Sequence, residues 1–166
     1  MRKGSIFIYY GEGKGKTTLA IGQGIRAVGE GLGVIMIQFL DYNNTKEGTP
    51  LKMLEPDFRV FRFEKIRESI ADIDENTKKD ISSEIRNAFN FTRKIIETGE
   101  CDVLILDGII DAVENGYIDI EDLYEIISRK KSYMDIIATG NTVSDSLKEK
   151  SDYVYKICKE KTPSGV

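Results

Sequence analysis

The chain has 166 residues, 40% hydrophobic and 31% charged, the size and balance of one soluble globular domain spanning 1–166 rather than of a disordered chain. Its 24 basic and 28 acidic residues leave a net charge of −4, which argues against non-specific binding to nucleic acid or to anionic membranes but allows a local basic pocket. Histidine is absent, so an imidazole base, a His triad and a His-ligated metal are all excluded within this chain.

Along the chain, short apolar runs alternate with helical patterns. Arg2 and Lys3 precede the run Ile6–Tyr10, which is too short for a signal-peptide core or a membrane span; a soluble, cytoplasmic protein is expected. Ser5–Tyr10 reads as a first strand, Thr17–Glu30 as a first helix closed by Gly31-Leu-Gly33, and Val34–Leu40 as a second strand. Asp41–Gly48 is polar and lies at a strand end, a candidate functional loop. Phe58–Phe63 alternates as a half-exposed strand does. Ile81, Ile85, Ala88, Phe89, Thr92, Ile95 and Ile96 mark one face of a long helix that stops at Gly99.

Val103–Leu106 is a buried strand closed by Asp107, and Ile120, Leu123, Ile126 and Ile127 mark a helix after Asp119. Met134–Thr139, the helix Val143–Lys150 and the weaker strand Tyr153–Ile157 follow. Strands that alternate with helices imply βαβ units and an α/β fold with a parallel sheet between helices. Cys101 and Cys158 form no CxxC pair and read as buried thiols in a reducing cytoplasm.

The chemistry concentrates in Gly11-Glu-Gly-Lys-Gly-Lys-Thr-Thr18, set between the first strand and the first helix. Glycines let successive N–H groups turn inward around an anion, Lys16 reaches phosphates as a point charge, and the Thr17 hydroxyl suits Mg²⁺. The helix that begins here adds its positive end. The strict pattern G-x-x-x-x-G-K-[ST] wants glycine at position 10, where Tyr10 stands; the glycine is displaced by one place to Gly11. A nucleoside triphosphate is the ligand this loop suits.

Asp107, at the carboxyl end of a buried strand, is placed to orient Mg²⁺ or else to cap the segment Gly108–Glu114. Gly108 follows, where many phosphate-loop ATPases keep a glutamate that activates water. Asn141, in Ala138-Thr-Gly-Asn141, is either a polar contact at a strand end or a helix-start residue. Gln38 interrupts an apolar strand, facing the ligand or satisfying a backbone group. Arg26 stands about two and a half turns past Thr17, so it faces the other way and lies about 13 Å further along the axis; solvent exposure is its plain role. Arg129-Lys130-Lys131 reads as a solvated helix end.

Taken together these elements resemble the ATP:corrinoid adenosyltransferases of the phosphate-loop type. The resemblance rests on Tyr9–Thr18, Ala20–Gly33, Val34–Leu40, Gly99–Asp107, Asn115–Ile118, Ala138–Asn141 and Ser151–Val154, in that order, with only loose similarity between Asp41 and Glu97. It implies a RecA-like P-loop NTPase fold, a homodimer, and MgATP (or Mn²⁺ in place of Mg²⁺) bound as a single-domain nucleotide site. It also implies attack of a Co(I) corrinoid on the 5′-carbon of ATP with release of triphosphate; a flavoprotein is a candidate reductant, and the sequence leaves its identity open.

Carried over by position, Gly11, Glu12, Gly13, Lys14, Gly15, Lys16, Thr17 and Thr18 become triphosphate ligands, with Lys16 and Thr17 acting in catalysis. Asp107 joins Thr17 at Mg²⁺. Arg26 matches a family arginine linked to the nucleotide and, given its helix face, would act across a subunit interface. The absence of histidine fits, because Co(I) is itself a strong nucleophile and needs no base.

Three departures stand out. The family has Glu after the strand-end Asp, where Gly108 stands; it has Arg where Asn141 stands; and its closing His-containing segment and Gly-Ile-Glu-aromatic tail are replaced by Lys161–Val166. They leave two alternatives, an ATP-binding regulatory module without adenosyl transfer and a small-molecule kinase or ATPase that yields ADP. If the missing carboxylate matters, Gly108→Glu should raise activity. Phe61 and Phe63 are either covers for the corrin face or core residues.

Overall fold

Aliphatic runs of five or six residues separated by amphipathic segments leave the backbone few choices, and the strands and helices follow them closely. The computed structural model describes residues 1–40, 48–65 and 73–164. β1 (Ile6–Tyr10) leads through the glycine-rich turn into α1 (Lys16–Gly29) and then β2 (Val34–Gln38). A short α2 (Gly48–Leu51) and a 3₁₀ turn (Lys52–Leu54) precede β3 (Phe58–Arg62) and the long α3 (Glu75–Thr98). β4 (Val103–Asp107), α4 (Ile109–Glu114), α5 (Ile120–Ser128), β5 (Asp135–Gly140), α6 (Asp145–Glu149) and β6 (Tyr153–Lys156) complete the order.

Among the described residues the strands form one sheet in the order β3-β2-β4-β5-β1-β6, and every neighbouring pair runs parallel. One strand, β5, therefore lies between the strand that feeds the glycine-rich loop and the strand that ends in Asp107. The α/β class with one parallel sheet is as expected. Register fixes the site: Tyr10 pairs with Gly140 and Gln38 with Asp107, so these carboxyl ends lie along one edge of the sheet. Ligands of open parallel sheets bind beyond such an edge.

Both faces of the sheet are covered at β2, β4 and β5, which is why these strands read as continuous apolar runs, whereas the edge strands β3 and β6 are only partly buried. Ile8, Ile35, Ile37, Leu104, Leu106 and Ile136 point to a layer shared with Ile81, Ile85 and Leu123 of α3 and α5. Tyr9, Met36, Val103, Ile105 and Ile137 point the other way, toward Ala20 and Ala27 of α1. α1 approaches the sheet closely at Gly24, where a Cβ would stand 2.6 Å from the Phe58 ring.

α3 begins at Asp74, whose carboxylate accepts from the Thr77 N–H at 2.7 Å, and ends at Gly99 in the left-handed region (φ 70°). That is the stop the sequence suggests. Strand ends differ from expectation by a residue or two, and Asp107 is itself the last residue of β4. The helix expected from Val143 starts later, because Ser144 is its cap. α2 and the 3₁₀ turn were not expected, since 48–54 carries no apolar periodicity. Of the polar loop proposed at Asp41–Gly48, positions 41–47 lie outside the described residues. Among the described residues no helix is long and apolar enough to cross a membrane.

Candidate nucleotide site

The turn after β1 is shaped by close approach. Gly11 has φ 132°, and a Cβ there would stand 2.0 Å from the Ile157 carbonyl oxygen. Only glycine fits, and this explains why the first glycine of the motif sits at 11: position 10 is still a strand residue. α1 starts without a side-chain cap, so the N–H groups of its first turn remain available to an anion. The Lys16 ammonium donates to the carbonyls of Gly11 (2.6 Å) and Gly13 (2.8 Å), which holds it over the loop where phosphate oxygens would sit.

β4 delivers the second part. Asp107 is buried, and its Oδ1 accepts from the Thr17 hydroxyl at 2.8 Å and from the Thr139 hydroxyl at 2.7 Å. Thr139 in turn accepts from the Gly108 N–H at 2.8 Å. Strands β4 and β5 and helix α1 are thus pinned at one carboxylate. The capping alternative for Asp107 does not hold: the cap of α4 is Gly108, with no side-chain cap bond. Asn141 does not start a helix either; its N–H donates to Asp111 at 2.7 Å.

Glu12 through Thr18 line a cleft of about 990 Å³ together with Asp107, Gly108, Asp111, Thr139 and Asn141. Leu40 and the segment Ile157-Cys158-Lys159 complete it. Gly11 lies beneath, bonded to Lys16. Arg26 is not among these residues. It lines a neighbouring cavity with Gln23, Glu30 and Leu32, and Lys14, Gly15 and Thr18 border both. Phe61 and Phe63 pack on Phe91 of α3, with ring centres 4.7 and 5.5 Å away, and belong to the core side of the sheet.

Asp111, Thr139 and the 157–159 segment are site residues that the sequence reading left without a role. Asp111 had one available signal, its place one turn beyond Asp107. Burial raises the Asp111 carboxyl above its ordinary value, with the Asn141 N–H and Lys16 pulling the other way. Burial also pushes the Cys101 thiol up to about 12, far from this site; Cys158, expected to be buried as well, is exposed because it follows the last strand and lines the open cleft.

A family model described as ATP:corrinoid adenosyltransferase BtuR/CobO/CobP matches residues 2–165. The chain belongs to this family. Among curated proteins, a corrinoid adenosyltransferase of Escherichia coli strain K12 is 25% identical over 155 residues, covering 93% of this chain and 76% of the relative. Corrinoid adenosyltransferase CobA of Salmonella typhimurium is 24% identical, with the same coverage. Among solved structures, AMPPCP-bound DnaA from Aquifex aeolicus aligns over 93% of this chain and 40% of its own, with 21% identity and a TM-score of 0.42.

Proposed function

We propose that the chain is an enzyme that transfers the 5′-deoxyadenosyl group of ATP to a Co(I) corrinoid, with inorganic triphosphate as the other product. The observation that carries this reading is the meeting of Lys16, Thr17 and Asp107 in one phosphate cleft, in a chain of this family. The electron pair of Co(I) forms the bond to the 5′-carbon, and the carbon–oxygen bond breaks with its pair leaving on the triphosphate. No proton changes place. A site without histidine loses nothing, because its task is to align the reactants and to neutralise the departing charge.

Lys16 exchanges its two loop carbonyls for phosphate oxygens, and the Gly11–Thr18 backbone cradles the rest. Thr17 and Asp107, two hard oxygen donors already 2.8 Å apart, fit Mg²⁺ or Mn²⁺ and would hold it. The ion, when bound, shields the negative charge of the triphosphate. The remaining parts of the proposal are a single domain that works as a homodimer in the cytoplasm and a flavoprotein that supplies Co(I). Arg26 reaches the nucleotide of the second copy.

The test is anaerobic incubation with MgATP and chemically reduced corrinoid, with Lys16→Ala as the control. Triphosphate together with a light-sensitive alkyl-cobalt spectrum is the expected outcome. ADP as product, or no product above the control, would end the reading.

A further inference from the structure

Position 108 is closed to any side chain. Gly108 lies at φ 78°, and a Cβ there would stand 2.3 Å from the carbonyl oxygen of Phe39, a backbone atom held in place because the Phe39 N–H donates to the Asp107 carbonyl at 2.7 Å. Another carboxylate nevertheless borders the cleft, from the first turn of α4. Asp111 lines it beside Asp107, Thr17 and Lys16.

Its position is fixed from β5. The Asn141 N–H donates to Asp111 Oδ1 at 2.7 Å, a backbone bond that does not depend on the side chain at 141. Gly140 lets the helix come this near: a Cβ there would stand 2.6 Å from Ile110 Cβ and 3.3 Å from the Asp111 nitrogen. The cleft is lined by three carboxylates, Glu12, Asp107 and Asp111, and three lysines, Lys14, Lys16 and Lys159; of the carboxylates, Asp107 closes β4 and Asp111 is bonded to the residue that follows β5. Among the described residues no three acidic or cysteine side chains group closely enough to hold a metal ion unaided. An ion here must share its shell with the triphosphate, as Mg²⁺ commonly does with one or two carboxylates.

We propose that Asp111 is the second carboxylate of the nucleotide-cation site, which holds the divalent ion of the bound triphosphate together with Thr17 and Asp107. This deepens the ATP reading above and rests on it.

The experiment compares the native chain with Asp111→Asn in ATP binding, titrated against Mg²⁺ and repeated in EDTA. Asn keeps an oxygen acceptor for the Asn141 N–H, and a melting curve in EDTA checks that the variant folds. The variant should match native ATP affinity in EDTA within about twofold but need about tenfold more Mg²⁺, the low end of the usual loss when a residue supporting a metal site is removed. Mn²⁺ binding in the presence of ATP, read from the free-ion EPR signal, should weaken in parallel. Asp111→Ala, which cannot make the bond to Asn141, should show the same Mg²⁺ shift. An unchanged Mg²⁺ requirement, or an equal loss of ATP affinity in EDTA, overturns the proposal while leaving ATP binding intact in the native chain. A native chain that binds no ATP under either condition overturns the underlying reading as well.

Discussion

Putting a glutamate at position 108 brings two demands into conflict. The family resemblance favours a carboxylate beside Asp107; the backbone forbids one. A non-glycine residue in the left-handed region costs about 1–2 kcal/mol, and the approach to the Phe39 carbonyl adds to it. Gly108→Glu is therefore expected to lower the melting temperature and to reduce adenosyl transfer, the reverse of what the sequence alone suggests; a thermal melt beside a triphosphate assay checks both. The two cysteines give a second residue-scale expectation. Cys101, buried with its thiol pushed up to about 12, should resist thiol reagents at pH 8, since the thiolate is the reactive form. Cys158 lines the phosphate cleft, so it should label readily and be protected by MgATP. Mass spectrometry of the labelled chain, with and without nucleotide, reads the difference.

At the scale of elements, most of the fold was legible. Continuous aliphatic runs and a 3.6-residue apolar period are strong signals, and β4 and α3 carry them plainly. The segment 48–54 carries neither, and so α2 escaped notice. In the site, the glycine-rich loop and Asp107 were visible because each sits at a strand end with a distinctive residue type. Asp111 was hidden because its role comes from the close packing of α4 on β5, which no spacing rule encodes. α3 offers its own test. Hydrogen bonds from the Thr77 side chain and N–H hold the Asp74 carboxyl below its ordinary value. A carboxylate lowered in the folded state contributes stability above its unfolded pKa, and that contribution is lost as pH falls through the folded one. Asp74→Ala should thus destabilise the chain near neutral pH, and the difference from native should shrink as pH falls through that window, followed by circular dichroism melts across the acid range.

For the whole molecule, the site draws on residues 11–18, 107–111, 139–141 and 157–159, which only the complete parallel sheet brings together. A ligand that binds there and not to the unfolded chain raises stability by about 2.7 kcal/mol at a hundred times its dissociation constant. MgATP is expected to raise the melting temperature of the native chain and to leave Lys16→Ala nearly unmoved. The strand order has a further consequence, for synthesis. β1 is the first of the described strands to be made, yet its two neighbours in the sheet, β5 and β6, are the last. Chains emerge from the ribosome at about 5–20 residues per second, so β1 waits several seconds with both edges unpaired. Throughout that interval the nascent phosphate loop lacks the Ile157 carbonyl and the Thr139 hydroxyl that shape the finished site. The site is therefore complete only when nearly all of the sheet has been translated, which is too late for a ligand of the finished cleft to template the first steps of folding.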